Sequence, residues 1–245
     1  MESDKPIVEN RRIDILSGEI RPANPADRLT KLERCLLFFI GLKPEGVTRE
    51  EIADELFPHL DLAAASNSLR VAICRARRKC GSPSIVECVN GRYILVENPH
   101  IDLRAAECAV RKAAGNDQLT GPEVSLVLGS YLARIRRHFN APYRYAQWFE
   151  ATVWRLEHLE RRLCRLLAED ALRRGRPEEA LAIVRDLNGR DPLDELPSEI
   201  AIRAHNALGD RGAAITEFSR YARRLEGELG VKPGHQLRDL ALRGG

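Results

Sequence analysis

The 245-residue sequence has none of the common signatures of a phosphate cradle or a hydrolytic centre. No G-x-x-x-x-G-K-[ST], G-x-G-x-x-G, H-E-x-x-H or G-x-S-x-G occurs in it, which excludes the usual nucleotide loops, the zincin helix and the nucleophile elbow. The six histidines, His59, His100, His138, His158, His205 and His235, are scattered without an i, i+4 pair, so surface and capping roles suit them. No C-x-x-C pair occurs among Cys35, Cys74, Cys80, Cys88, Cys108 and Cys164. Reduced, buried thiols are the simplest account, with a metal or redox site from Cys74, Cys80 and Cys88 as the alternative. Long apolar runs are absent as well: the longest, residues 35–40, is far too short to span a bilayer. The N-terminal MESDKPIVENRR is charged rather than apolar, so neither secretion nor membrane insertion is expected. The expectation is a cytoplasmic non-enzyme that needs no cofactor or metal.

Hydrophobic residues make up 44% and charged residues 31% of the chain, a balance that suits one or two soluble domains with real cores. The net charge of only +3 means that charge position, not the total, carries information about partners. That position is uneven. Between residues 62 and 95 there are six basic side chains, Arg70, Arg75, Arg77, Arg78, Lys79 and Arg92, against Glu87 alone.

This stretch, residues 62–96, reads as an amphipathic helix followed by a hairpin. Leu69, Ala72, Ile73, Ala76 and Cys80 recur at spacings of three and four and form a core-facing stripe. Asn67, Arg70, Val71, Cys74, Arg77 and Arg78 fall on the opposite stripe. Arginine forks match phosphates and guanine edges, and an asparagine amide matches adenine. Asn67, Arg70, Cys74, Arg77 and Arg78 are therefore the candidates for reading bases, and Arg75, Lys79 and Arg92 for holding phosphates. Arg75 has an alternative partner in a carboxylate such as Glu50 or Glu55. Residues 85–89 and 93–96 flank Asn90-Gly91, the dipeptide of a type I′ turn, with Arg92 expected at the tip. A solvated charged face is the bland reading of the same helix.

Upstream, residues 13–16 and 19–21 read as a small antiparallel sheet joined through Ser17-Gly18. Thr30 with Glu33 is a capping box opening a first helix, with Leu32, Leu36, Leu37 and Ile40 as its apolar stripe and an end near Gly41. Thr48 with Glu51 opens a second helix running through Phe57, with Ile52, Ala53, Leu56 and Phe57 buried, and Pro58 ends it. Sheet, three helices and hairpin in this order make a winged helix-turn-helix, in which the third helix enters the major groove of DNA.

Asn98-Pro99 is a natural joint, which divides the chain into residues 1–98 and 99–245. Beyond it nearly everything is helical, including residues 103–115 and 122–137 and a long helix from Trp154 to near Gly175. Phe139, Tyr143, Tyr145, Trp148, Phe149 and Trp154 form an aromatic cluster, better suited to packing between helices than to a ligand platform. GRPEEALA at residues 175–182 is echoed by GDRGAAIT at 209–216, an offset of 34 that is the tetratricopeptide period. The fold class expected is mainly α: a winged helix-turn-helix with a small N-terminal antiparallel sheet and a C-terminal β-hairpin, then an all-α tetratricopeptide-like helical repeat domain.

RLTKLERCLLFFI (28–40), TREEIADELF (48–57), NSLRVAICRARRK (67–79) and GRYIL (91–95) resemble the winged-helix effector domains of bacterial response regulators. They are closer still to the Streptomyces antibiotic regulatory protein family, whose usual tryptophan at the end of the second helix is Phe57 here. LNGRDPLDE (187–195) and RRLEGELGVKPGHQLRDL (223–240) resemble the bacterial transcriptional activator domain that follows the winged helix in that family. The resemblance spans roughly residues 12–242. It implies a sequence-specific transcriptional regulator, usually an activator, that binds double-stranded promoter DNA as a homodimer in the bacterial cytoplasm and contacts RNA polymerase holoenzyme. The alternative is a tetratricopeptide-like interaction or effector-binding scaffold with a degenerate winged helix.

Overall fold

In the computed structural model, residues 13–14, 16–43, 45–96, 100–115, 122–138 and 146–243 are described. The chain divides into two units, residues 1–107 with 133–157, and residues 108–132 with 158–245. The expected joint at Asn98-Pro99 lies outside the described residues, as do Ile15 and the aromatic residues Phe139, Tyr143 and Tyr145. The first unit takes in segments from beyond that joint.

In the first unit, β1 (Ile13–Asp14) and β2 (Glu19–Ile20) pair antiparallel, with Ile13 opposite Ile20. Helix α1 (Lys31–Gly41) opens with the expected capping box, in which Glu33 and Thr30 satisfy each other's backbone N–H. Its burial is wider than a single stripe: Leu36, Leu37, Phe38, Phe39 and Ile40 are all buried, while Leu32 is 37% exposed. The reason is a second layer. Trp148 packs edge-on against Phe39 with ring centroids 5.3 Å apart, and the buried Phe149 lies edge-on to Trp148. These aromatics pack, as expected of the cluster, whereas Trp154 is exposed.

A short strand β3 (Val47–Thr48), not foreseen from the sequence, leads into α2 (Arg49–Leu56), which Thr48 and Glu51 cap reciprocally. Helix α3 (Leu62–Cys80) starts at Asp61, whose carboxylate accepts the Ala64 N–H at 2.8 Å, and stops at Gly81. Its stripe of Leu69, Ala72, Ile73, Ala76 and Cys80 is buried against α1 and α2, so that Leu69 and Ile73 each contribute about 1.5–3 kcal/mol by leaving water. Strands β4 (Val86–Val89) and β5 (Arg92–Leu95) form the hairpin, and β3 adds to β5 to give the order β3-β5-β4. The turn has positive φ at both Asn90 (51°) and Gly91 (77°), the backbone that a type I′ turn demands and that this pair tolerates.

Helices α4 (His100–Gly115), α5 (Pro122–His138) and α6 (Glu150–Arg173) follow, then α7 (Pro177–Arg190), α8 (Glu195–Ala207), α9 (Arg211–Leu229) and α10 (His235–Arg243). In the second unit α7 packs on α8, α8 on α9, and α10 on both α8 and α9. The core of this stack joins Ile202, Ala214, Tyr221, Leu225, Leu237 and Ala241. The 34-residue echo is physical. Gly175 and Gly209 both have positive φ before α7 and α9, and Ala180 and Ala214 are fully buried. The contacts repeat too: the Cys164 thiol donates to the Ile183 carbonyl at 3.7 Å, and at the equivalent positions the Ser198 hydroxyl donates to Glu217 at 3.1 Å. The caps differ. Pro177 opens α7, whereas Asp210 caps α9 through the Ala213 N–H. The mainly α fold class is as expected.

Candidate nucleic-acid interface

The buried stripe of α3 fixes which of its side chains face outward. Asn67, Arg70, Cys74, Arg75 and Arg78 are exposed, and Arg77 and Lys79 are half-buried. No carboxylate occurs anywhere in the helix. On the outer face Asn67 accepts from Arg70 Nη2 at 2.8 Å, which ties the two side chains together across one turn. The side chains of Arg75 and Arg78 make no hydrogen bond or ion pair with a described residue, so the alternative pairing of Arg75 with Glu50 or Glu55 is not formed. A cleft of about 630 Å³ runs beside this face, lined by Arg49, Ser66, Asn67, Arg70, Ile73, Cys74, Arg77 and Tyr93. It brings Asn67, Arg70, Cys74 and Arg77 together, and it adds Arg49 from the first turn of α2 and Tyr93 from β5. The sequence pointed to the cap and the backbone amides at the start of α2, not to the Arg49 side chain. The exposed Arg49, beside the Thr48 cap, was the readable signal.

Three of the basic side chains are engaged inside the unit. Arg77 donates from Nε and Nη2 to the Val86 carbonyl, at 3.2 and 2.6 Å, and so ties β4 to α3. Lys79 Nζ lies 3.0 and 2.7 Å from the two Glu33 oxygens, and Glu33 is 2% exposed. An ammonium held this way has little left to offer a phosphate. Burial pushes the Glu33 carboxyl pKa up, but the hydrogen bond from Lys79, the Thr30 N–H and the Lys79 charge outweigh it and hold the group below its ordinary value. Arg92 is not at the hairpin tip. It is the first residue of β5, opposite Val89 and Thr48, and its Nη1 donates to the Gly46 carbonyl at 2.8 Å. The tip is Asn90-Gly91. Arg92 also stands 3.9 Å from Glu51, which the Thr48 N–H, more than Lys43 and Arg92, holds below the usual carboxylate range.

The thiols need a correction. All six are free, and Cys80 and Cys164 are buried, but Cys74 and Cys88 are exposed. Cys74 belongs to the outward stripe of α3 and Cys88 to the edge strand β4, so neither has a layer to cover it. Among the described residues, no group of three or more His, Cys, Asp or Glu side chains is placed to hold a metal. No helix among them is long and apolar enough to cross a membrane.

Three helices with a hairpin whose edge is completed by a short strand define the first unit as a winged helix-turn-helix, and the second unit is a tetratricopeptide-like repeat. Comparison with known proteins shows what the chain is similar to. Residues 123–243 match the bacterial transcriptional activator domain. The chain is 28% identical over 218 residues to the regulatory protein AfsR of Streptomyces griseus, covering 86% of this chain and 22% of that protein. Its fold matches Mycobacterium tuberculosis EmbR, solved in complex with a low-affinity phosphopeptide, with a TM-score of 0.65, 17% identity, and coverage of 87% of this chain and 59% of that one. The chain is thus similar to the Streptomyces antibiotic regulatory proteins and carries a bacterial transcriptional activator domain. It spans about a fifth of the length of its curated relative.

Proposed function

We propose that the chain is a sequence-specific DNA-binding transcriptional regulator that places α3 in the major groove of promoter DNA and the β4-β5 wing against the flanking backbone. The observation that carries this reading is the outer face of α3, where Asn67, Arg70, Cys74 and Arg78 stand exposed with no carboxylate among them. Arg70 and Arg78 suit guanine edges, Asn67 suits adenine, and the small Cys74 between them lets the helix approach closely. Arg49 and Arg75 flank this row as phosphate contacts. Arg77 and Lys79 act on the groove by holding the helix and the wing, and Arg92 chiefly joins the wing to the start of α2.

In this reading DNA binding resides in residues 1–98, and the helical residues 99–245 hold a second copy of the chain or RNA polymerase holoenzyme, activating transcription in the cytoplasm. The similarity to the antibiotic regulatory proteins supports that division. Selection of bound duplexes from a random pool tests it. Enriched half-sites at a fixed spacing are expected, since dimers of helix-turn-helix units read sites about 34–36 Å or a multiple apart. Recovery of no enriched sequence, with no salt-dependent binding to random duplex, removes the proposal and favours the scaffold reading.

A further inference from the structure

The end of α3 is fastened to α1 and to the loop that precedes it by two links that meet at Lys79. Its side chain pairs with both oxygens of Glu33, and its backbone carbonyl accepts the Ala23 N–H at 2.8 Å. Glu33 cannot rotate freely to follow a shifted lysine, because its Oε2 also accepts the Thr30 N–H at 2.7 Å and so closes the α1 capping box. The pair joins residues 46 apart in sequence and lies in the interior, with side-chain exposures of 15% for Lys79 and 2% for Glu33. A buried ion pair of this kind adds little net stability over an apolar replacement, yet it admits only one arrangement of its partners. The outward row on α3 is set by the rotation and tilt of that helix, and Asn67 lies more than three turns from the pair, so a small tilt at Lys79 is magnified at the reading residues.

We infer that the Lys79–Glu33–Thr30 cluster is a positioning device that fixes the angle at which α3 presents Asn67, Arg70, Cys74 and Arg78, and that through it the buried Glu33 governs base discrimination without touching DNA. The inference rests on the DNA-binding reading above. It makes Lys79 a positioning residue, where the sequence pointed to a phosphate contact.

The two roles separate in an experiment on the full chain. Affinity for a selected duplex and for a random duplex is measured over a range of salt, for the wild type, Glu33→Gln, Lys79→Met and the double variant. Glu33→Gln keeps an oxygen for the Thr30 N–H, and the double variant removes the pair without leaving an unpaired buried charge, so it remains informative where Lys79→Met alone unfolds. The expected result is a loss of discrimination between selected and random duplex of about tenfold, comparable to losing the readout of one base pair. It should be similar in Glu33→Gln and in the double variant, with an unchanged salt slope. Discrimination within twofold of wild type in the double variant overturns the inference. So does a slope lower by about one with equal loss on both duplexes, the signature of a lost phosphate contact. A wild-type chain that fails to distinguish any duplex sinks the DNA-binding reading and this inference with it, an outcome visible before any variant is made.

Discussion

Replacing Arg77 by alanine should injure stability first and DNA recognition second. The Arg77 guanidinium donates two hydrogen bonds to the carbonyl of Val86, a residue with no exposed surface. Hydrogen bonds from a charged donor are worth about 1.5–3 kcal/mol, and an orphaned buried acceptor forfeits most of that. With a urea m-value of about 2 kcal/mol/M, the unfolding midpoint should fall by about 1 M. Tryptophan fluorescence in a urea titration reads the change, because Trp148 sits against Phe39 in the same unit. Binding to a selected duplex should weaken by about 1–3 kcal/mol, the scale of one lost base contact, because β4 is no longer held to α3. An unchanged midpoint together with weakened binding would falsify this account: the Val86 bonds would then contribute nothing, and Arg77 would be a plain base contact.

Arg78→Ala should leave the urea midpoint unchanged and weaken the selected duplex by about 1–3 kcal/mol, whereas Arg75→Ala should weaken all duplexes alike and lower the salt slope by about one; fluorescence anisotropy over a salt series separates them. Because its folded pKa is depressed, ionised Glu33 contributes stability above its unfolded pKa that is lost as pH falls through the lower folded value. Urea midpoints taken from pH 6 down to pH 3 should therefore fall less steeply in Glu33→Gln, and parallel curves would contradict the depressed pKa. Gly46→Ala should destabilise by about 1–3 kcal/mol from strain at positive φ, and by more from crowding, since a Cβ there lies 2.8 Å from Ile94 Cγ2 and 3.1 Å from the Tyr93 carbonyl. Gly91→Ala, with a similar φ but nothing within 4 Å, should show the strain alone, and equal melting shifts for the two variants would count against the crowding.

What the sequence discloses is what local chemistry decides. Thr30 with Glu33, Thr48 with Glu51, and Asn90-Gly91 each act within four residues, and all form as their spacing predicts. The echo at Gly175 and Gly209 is legible for the same reason: each marks a turn made by its neighbours. The partners of Arg77 and Lys79 are not local. Nothing in RARRK shows that one arginine will find a strand carbonyl nine residues on and the lysine a carboxylate 46 residues back. Strand β3 escaped because two residues carry no periodicity, and β5 alone makes them a strand. Phe39 escaped the apolar stripe of α1 because the ring that packs against it is Trp148, more than a hundred residues downstream. The outward row of α3 was readable because its opposite stripe was unambiguous.

The internal engagement of Arg77 and Lys79 bears on how such a protein would search a chromosome. Helix α3 spells five cations, of which Arg70, Arg75 and Arg78 are exposed while Arg77 and Lys79 are half-buried and engaged inside the unit. Each phosphate neutralised adds about 0.9 to the steepness with which binding falls as salt rises. On the proposed DNA-binding reading, withholding two cations would remove their pull on random sequence, so encounters with the wrong site would be shorter. The chain would trade residence on bulk DNA for faster release, leaving more of its time for the sites where Asn67 and Arg70 find matching edges.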